Sequence, residues 1–453
     1  MSRLTCFGGV DTVTGANFML EIGEKKVLVD CGLTQGTRES GEINRSDFAY
    51  DPVSVDILFV THAHIDHIGR IPKLVKDGFR GEIWSTPETL KIAGLMLEDS
   101  ARINERNARE EGQESIYTSY DVERSLALWK TIGYHEPKEF GGFSVEFFDA
   151  GHILGSSMIK FTASERGESI MFTGDLGNSP SVLLKDTEKV SGISYMVMES
   201  VYGDRNHEGR EEREEKFKQV VLDTIARKGT LLIPAFSLER TQVVLHLLDD
   251  LVEGGMMKPV PVFLDSPLAI KVTDVYTQFT AHYNKHIEKE LGEGDDVFGF
   301  SRLKETAEAR DSREIRKVPG PKIILAGSGM STAGRIVHHE EEFLPDKETT
   351  LLFMGYQAPG TLGRQIQDGA KNVEINGRRV QVRARIENIS GFSAHADSDQ
   401  LVDFVSNTAE SLKKVFVAMG EPKSSIFLSQ RLRDELGVEA VVPEEGRTYE
   451  LDL

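Results

Sequence analysis

Residues 61–70 read Thr-His-Ala-His-Ile-Asp-His-Ile-Gly-Arg, placing three of the chain's 12 histidines and an aspartate in the short run His62 to His67. Imidazole nitrogens and carboxylate oxygens at that density suit zinc or a similar borderline cation. The run follows the apolar, strand-like Ile57-Leu58-Phe59-Val60. His62 and His64 therefore lie two apart on an extended strand end and point to one side, while Asp66 and His67 can turn toward a second ion. His152 opens Gly-His-Ile-Leu-Gly-Ser and Asp175 sits in Phe-Thr-Gly-Asp-Leu-Gly. Each is a polar residue at a strand end beside glycine, which lets the backbone crowd toward an ion, and a carboxylate such as Asp175 can bridge two metals. Taken singly, His152 and Asp175 read equally well as ordinary loop residues.

The elements that must position these groups fall into two textures. As far as about Ser200, short β-rich runs dominate, among them 18–22, 26–30, 144–148 and 169–173, with helical stretches between them. This reads as sheet layers covered by helices. After Tyr202 a charged segment, 210–227, carries Phe217, Val220, Val221, Leu222 and Ile225 at helical spacing. Strands at 230–234, 261–265, 322–326 and 350–354 then alternate with helices at about 238–252, through about 290, and on to about 342. Such alternation marks a parallel α/β sheet. At 453 residues the chain should hold two or three domains.

Composition narrows the function classes. No apolar run approaches the ~20 residues needed to span a bilayer, and the N-terminus lacks the apolar core of a signal peptide; both point to the cytoplasm. Cys6 and Cys31 are the only cysteines, which excludes a disulfide framework and a Cys-rich zinc ribbon. A formal net charge of -20 argues against a surface coated in basic patches, so a nucleic acid would have to be held locally.

The series Asp30, His62-x-His64-x-Asp66-His67, His152 and Asp175 resembles that of the metallo-β-lactamase fold. Glu199 in Met-Glu-Ser-Val-Tyr-Gly-Asp-Arg and His395 in Ile-Ser-Gly-Phe-Ser-Ala-His-Ala-Asp resemble the first two signature motifs of its β-CASP subfamily, the nucleases related to ribonuclease J and to the pre-mRNA 3′-end-processing endonuclease. The segments beginning at Pro234 and Gly327 also look like parts of the β-CASP insert. The resemblance implies an α/β protein: an αββα metallo-β-lactamase sandwich built from residues 1–203 and 391–453, interrupted by a parallel α/β β-CASP domain at 204–390. It also implies one or two zinc ions. His62, His64 and His152 would hold one, Asp66 and His67 the other, and Asp175 both, with Asp30 orienting the ligand loop. Glu199, His395 and Asp66 would be the catalytic groups, His395 protonating the leaving oxygen if a carboxylate such as Glu199 keeps it charged.

One position departs from the subfamily. Its third motif places a histidine before Gly-Glu, where this chain has Met419. Methionine is a soft, neutral ligand ill suited to an oxygen-rich zinc site, so the second site should be weakened. DNA-acting members carry valine there. For substrate contacts, the turn Gly327-Ser328-Gly329 could offer backbone amides to a phosphate or could simply be a tight turn. Ser393, Arg240, Arg335 and Arg364 are further candidates, and the arginines are also readable as surface or ion-pair residues. The segment 371–385, with five basic residues against Glu374 alone, is either a local contact or an exposed strand face. His338 and His339, adjacent on a helix, cannot share a face and read as structural.

The expected activity is zinc-dependent hydrolysis of phosphodiester bonds in single-stranded RNA, by endonucleolytic or 5′-exonucleolytic cutting, in RNA processing. Two alternatives stay open: a DNA-acting nuclease of the same subfamily, and a weakly active RNA-binding subunit of a processing complex. Family members often dimerise, so a homodimer is open too, and no membrane association is expected.

Overall fold

A computed structural model describes residues 2–36, 39–358 and 360–453. The chain divides into two units, Met1–Asn206 with His395–Leu453, and His207–Ala394.

In the first unit two seven-stranded sheets stack. One runs in the order Thr448–Leu451, Ser2–Gly8, Asn17–Ile22, Lys25–Val29, Ile57–Phe59, Glu82–Ser85, Trp129–Thr131. The other runs Ala440–Val441, Lys414–Val417, Tyr195–Met198, Ser169–Phe172, Ser157–Ala163, Phe143–Asp149, Lys138–Glu139. Period-two alternation selects the faces: Phe143, Val145 and Phe147 are buried while Ser144 and Glu146 between them are only partly so. The two inner faces meet in one core that takes Leu4, Phe18, Val29 and Phe59 from the first sheet and Phe147, Phe161 and Phe172 from the second. Phe59 and Phe161 meet edge to face at 5.2 Å and 87°, a geometry worth roughly 0.5–1.5 kcal/mol beyond burial.

Helices cover both outer faces. Met171, Met196, Met198, Val415 and Val417 pack with Leu401 and Val405 of helix Ser398–Ser406 and with Leu428 and Leu432 of helix Pro422–Leu436. On the other side helix Pro87–Glu111 contacts the edge strand Trp129–Thr131. That helix starts where the Thr86 side chain accepts from the Thr89 amide, with proline in its first turn, and ends at Gly112 in the left-handed conformation at φ 67°. Helices outside two stacked sheets make the αββα arrangement. Strands Tyr195–Met198 and Lys414–Val417 pair in parallel, Tyr195 opposite Lys414 and Met198 opposite Val417, although the whole second unit lies between them in sequence.

The second unit carries a parallel six-stranded sheet ordered Leu303–Glu305, Val262–Asp265, Lys322–Ala326, Thr230–Pro234, Thr350–Phe353, Arg385–Asn388. Its four central strands are buried at every residue, which explains their mostly apolar text. The charged segment forms helix Arg210–Ala226. The helical text expected to run to about 290 is instead two helices, Pro267–Gln278 and Lys285–Gly292, because the Asn284 side chain accepts from the His286 and Ile287 amides and starts the chain afresh. The basic segment is largely a hairpin, Asn372–Ile375 with Arg378–Gln381, turning through Asn376 and Gly377 at φ 51° and 72°. Val373, Ile375 and Val380 sit in the unit's core, while Arg378 pairs with Glu341 at 3.0 Å. Among the described residues no helix is long and apolar enough to cross a membrane.

Candidate metal centre

Strand Ile57–Phe59 delivers the histidine run, which continues as the short helix Ile65–Ile68. Backbone bonds tie this run to the segment after strand Lys25–Val29, where Cys31 N donates to His67 O at 2.8 Å and Leu33 N to Ile65 O at 3.1 Å, and to the residue before strand Asn17–Ile22, where Ala16 N donates to Asp66 O at 3.0 Å. Gly32 permits this approach, because a Cβ there would stand 1.5 Å from the Asp66 carbonyl oxygen. Likewise Gly174, at φ 54°, has Thr61 where a side chain would go, with Thr61 Cβ at 2.7 Å.

These constraints bring four side chains together. His64 Nδ1 lies 3.1 Å from His62 Nε2 and 3.2 Å from His152 Nε2. Asp175 Oδ2 lies 3.4 Å from His62 Nε2 and 3.5 Å from His152 Nε2. One ligand atom from each of His62, His64, His152 and Asp175 falls within 4.8 Å of the others. Burial and the neighbouring imidazoles lower His64 and His152 well below the ordinary histidine value, which keeps these rings neutral and able to ligate.

The other oxygen of Asp175 faces a second group. His67 Nε2 is 3.3 Å from Asp175 Oδ1, and among the described residues neither atom has a hydrogen-bond partner although both are buried. Buried orphans of this kind call for an ion or a water. Asp66 is close enough for its carboxyl, raised by burial, to be pulled back by His67 and pushed further by Asp175. A tetrad of three imidazoles and a carboxylate, beside an imidazole and two carboxylates that share Asp175, fits one or two zinc-like cations.

Asp30 holds this arrangement from behind. It is 1% exposed; its Oδ1 accepts from Thr61 N at 2.8 Å, and its Oδ2 accepts from Thr61 Oγ1 at 2.8 Å and pairs with His67 Nδ1 at 2.7 Å. Burial disfavours the charged ring, but the Asp175 and Asp30 carboxylates outweigh it and hold His67 well above the ordinary histidine value. Asp30 accepts the hydrogen bond from Nδ1, so Nε2, which faces Asp175, is the nitrogen a metal would claim. Thr61, which the sequence reading passed over, also touches His62 Nδ1 at 3.0 Å. Its place directly before the histidine run was the available signal.

Glu199 and His395 meet beside the cluster. Glu199 Oε1 accepts from Leu176 N at 2.6 Å and lies 3.3 Å from His395 Nδ1, and His395 Nδ1 lies 3.8 Å from Asp175 Oδ2. Burial disfavours the charged imidazole, but the Glu199 and Asp175 carboxylates outweigh it and raise His395 to about 9. Its side chain keeps 23% exposure, whereas Glu199 has none. His395 can thus hold a proton where something from outside can take it.

Met419 lies two residues beyond strand Lys414–Val417, 3% exposed. With Asp30, His67 and Glu199 it lines a small cavity of about 10 Å³, room for roughly one water. Its Sδ would stand 2.5 Å from a Cβ at Gly9.

The proposed substrate contacts lie in the second unit, and several are already engaged. Arg335 is not a free phosphate contact: its guanidinium donates to Asp265 Oδ1 at 2.7 Å, Thr306 O at 2.5 Å and Ala307 O at 2.6 Å. The turn at Gly327, Ser328 and Gly329 is not a helix start, since the helix begins only at Arg335 and the Ser328 amide donates to Ala333 O at 3.1 Å. Arg364 pairs with Asp368 at 2.9 Å on the surface. Arg240 opens helix Arg240–Glu253, and Ser393, 9% exposed, follows the Ser390–Phe392 turn. His338 and His339 diverge as expected, His339 Nε2 reaching buried Asp265 Oδ2 at 2.7 Å and His338 facing Asn376.

Comparison with known proteins agrees with this geometry. Residues 11–220 match the model of the metallo-beta-lactamase superfamily, 241–366 that of the Beta-Casp domain, and 379–443 that of the Zn-dependent metallo-hydrolase RNA specificity domain. The chain is 33% identical over 430 residues to Ribonuclease TTHA0252 of Thermus thermophilus, covering 95% of this chain and 96% of that one. It is 30% identical over 456 residues to Transcription termination factor FttA of Methanosarcina mazei, covering 96% of this chain and 70% of that one. In fold it is similar to a crystal structure of a protein of unknown function from Enterococcus faecalis V583, with TM-score 0.57 at 13% identity over 99% of this chain and 100% of that one. Family models that run from end to end of the two-unit architecture, and a relative matched over nearly its full length, lead to one assignment: the chain belongs to the β-CASP group of the metallo-β-lactamase superfamily and is a metal-dependent hydrolase of the nuclease type.

Proposed function

We propose that this chain is a zinc-dependent ribonuclease that hydrolyses phosphodiester bonds of single-stranded RNA during RNA processing in the cytoplasm. The observation that carries the reading is the convergence of His62, His64 and His152 on Asp175, with buried His67 Nε2 and Asp175 Oδ1 lacking partners among the described residues. RNA as substrate is supported by the matched RNA specificity model and by the ribonuclease among the relatives. The domain reading that goes with it has residues 1–203 and 391–453 forming the metallo-β-lactamase domain and 204–390 the β-CASP insert.

His62, His64, His152 and Asp175 would hold one zinc, and Asp66, His67 and Asp175 a second. When bound, these ions supply Lewis acidity toward a water and toward the phosphoryl oxygens. Asp30 fixes the His67 tautomer. Glu199, anchored by the Leu176 amide, keeps a proton on His395 Nδ1, so that Nε2 protonates the departing oxygen, a contribution of roughly 100- to 10,000-fold. Arg240 and Ser393 remain candidate phosphate contacts, whereas Arg335 and Arg364 would first have to leave their carboxylates.

A DNA-acting variant of this chemistry is favoured by one observation, the apolar Met419 lining the cavity beside His67. Cleavage of matched RNA and DNA oligonucleotides, with metal content measured alongside, separates the readings in wild type, His64→Ala, His395→Ala and Met419→His. RNA preference, loss of metal in His64→Ala and retained metal with lost turnover in His395→Ala are expected. Met419→His should raise metal content toward two per chain. DNA preference overturns the substrate, and cleavage that survives His64→Ala overturns the metal centre.

A further inference from the structure

A second set of metal-ligating side chains occurs in the unit His207–Ala394. His246 and Asp250 lie four apart on helix Arg240–Glu253, and His286 and Glu290 four apart on helix Lys285–Gly292, a spacing that puts each pair on one helix face. The two rings approach to 6.5 Å between centroids. One ligand atom from each of His246, His286 and Glu290 lies within 4.8 Å of the others. His286 Nε2 is 3.2 Å from Glu290 Oε1, and His246 Nε2 is 3.7 Å from Asp250 Oδ2. Donors about 2.0–2.1 Å from a tetrahedral zinc stand roughly 3.3 Å apart, so the pair on the second helix already has that spacing.

Two buried atoms in this cluster have nothing to bind. Among the described residues, His246 Nδ1 and Glu290 Oε2 lack hydrogen-bond partners, and His246 is 2% exposed. Buried polar atoms without a partner are uncommon in folded proteins and often mark an ion or an ordered water. The surroundings favour a cation: Asp250, Glu253, Glu290 and Asp295 all act on the neighbouring carboxylate of Asp249. Nothing in the hydrolytic cluster of the first unit uses these residues.

We propose that His246, His286 and Glu290, with Asp250 as a further oxygen donor, form a second transition-metal site that takes zinc or a comparable borderline divalent ion and ties the two helices together. A donor set drawn entirely from protein imidazoles and carboxylates suits a structural rather than a catalytic ion. A metal bound only by the folded unit raises its melting temperature as free metal rises.

The full chain carrying His64→Ala, His152→Ala and Asp175→Asn, which removes ligands from both ion positions of the hydrolytic cluster, is stripped with chelator and titrated with zinc by calorimetry and by thermal melting. His286→Gln is then added in the same background; this side chain is 60% exposed, so folding is preserved, and Glu290→Gln serves as a second variant. The expected result is one zinc equivalent per chain with a zinc-dependent rise in melting temperature, both lost, or the affinity reduced at least 100-fold, on adding either substitution. In an otherwise wild-type chain His286→Gln should lower bound zinc by one equivalent and leave RNA cleavage within twofold. Equal zinc uptake and equal melting shifts with and without His286→Gln and Glu290→Gln would overturn the site and leave an ion-pair network, as would no zinc uptake by the disabled background.

Discussion

Replacing Asp30 by asparagine should damage the metal centre without touching a ligand. Asp30 has φ 60°, a conformation that asparagine tolerates and alanine does not, so Asn isolates the chemistry from backbone strain. The amide oxygen can still accept from the Thr61 amide. The amide nitrogen must then occupy the place of Oδ2, which now meets Thr61 Oγ1 at 2.8 Å and His67 Nδ1 at 2.7 Å. A donor facing Nδ1 forces the His67 proton onto Nε2, the atom pointed at Asp175 Oδ1, and a protonated nitrogen cannot ligate. Loss of an outer partner of this kind costs about 10- to 100-fold in metal affinity, or about 1.4–2.7 kcal/mol. The charge-assisted bond to His67 adds about 2 kcal/mol of fold stability that is lost even without metal. The assays are zinc content after dialysis against graded chelator, and urea melts of metal-free protein. Metal affinity and stability unchanged from wild type would refute the tautomer argument, whereas a loss confined to stability would place Asp30 in the scaffold alone.

Two other predictions concern groups of the second unit. Glu340 is fully buried, and burial pushes its carboxyl up to about 8 against a single bond from Ser331. Because the folded value is raised, its protonated form is tolerated at low pH and stability drains away as pH climbs from about 4.5 toward 8, by up to about 1.4 kcal/mol per unit. Glu340→Gln should therefore become progressively more stable than wild type between pH 5 and 8 in urea melts, and parallel curves would contradict this. Asp265 has the opposite sign: although burial raises it, bonds from His339, Ser312, Thr306 and Arg335 hold it at about 2, so its contribution is present above about pH 4 and fades as pH falls through 2. Asp265→Ala strands Arg335 without its counter-charge and His339 Nε2 without its partner and should cost about 3–5 kcal/mol; a loss under 1 kcal/mol in denaturant melts would show that water replaces the carboxylate.

Local sequence carried a good deal of this protein. The strand ending at Phe59, the parallel strands of the second unit and the histidine run are all visible because side-chain period and residue type are local properties, and the motifs were specific enough to name the family. What local text could not carry is who faces whom. His62, His152 and Asp175 meet only because strand order and the stacking of two sheets bring three distant segments together. The carboxylate partner of Arg335 comes from a strand 70 residues earlier, an ion pair that no local stretch of sequence announces. The Gly327 turn looked like the start of a helix, yet the Ser328 amide closes on its own loop and the helix begins only at Arg335. His246, His286 and Glu290 sit in unremarkable helical text and become a ligand set only when Asn284 starts a new helix beside the older one. The physical reason is the same throughout: propensity and periodicity fix an element and its buried face, whereas pairings between remote polar groups depend on strand order and packing that no single stretch of sequence contains.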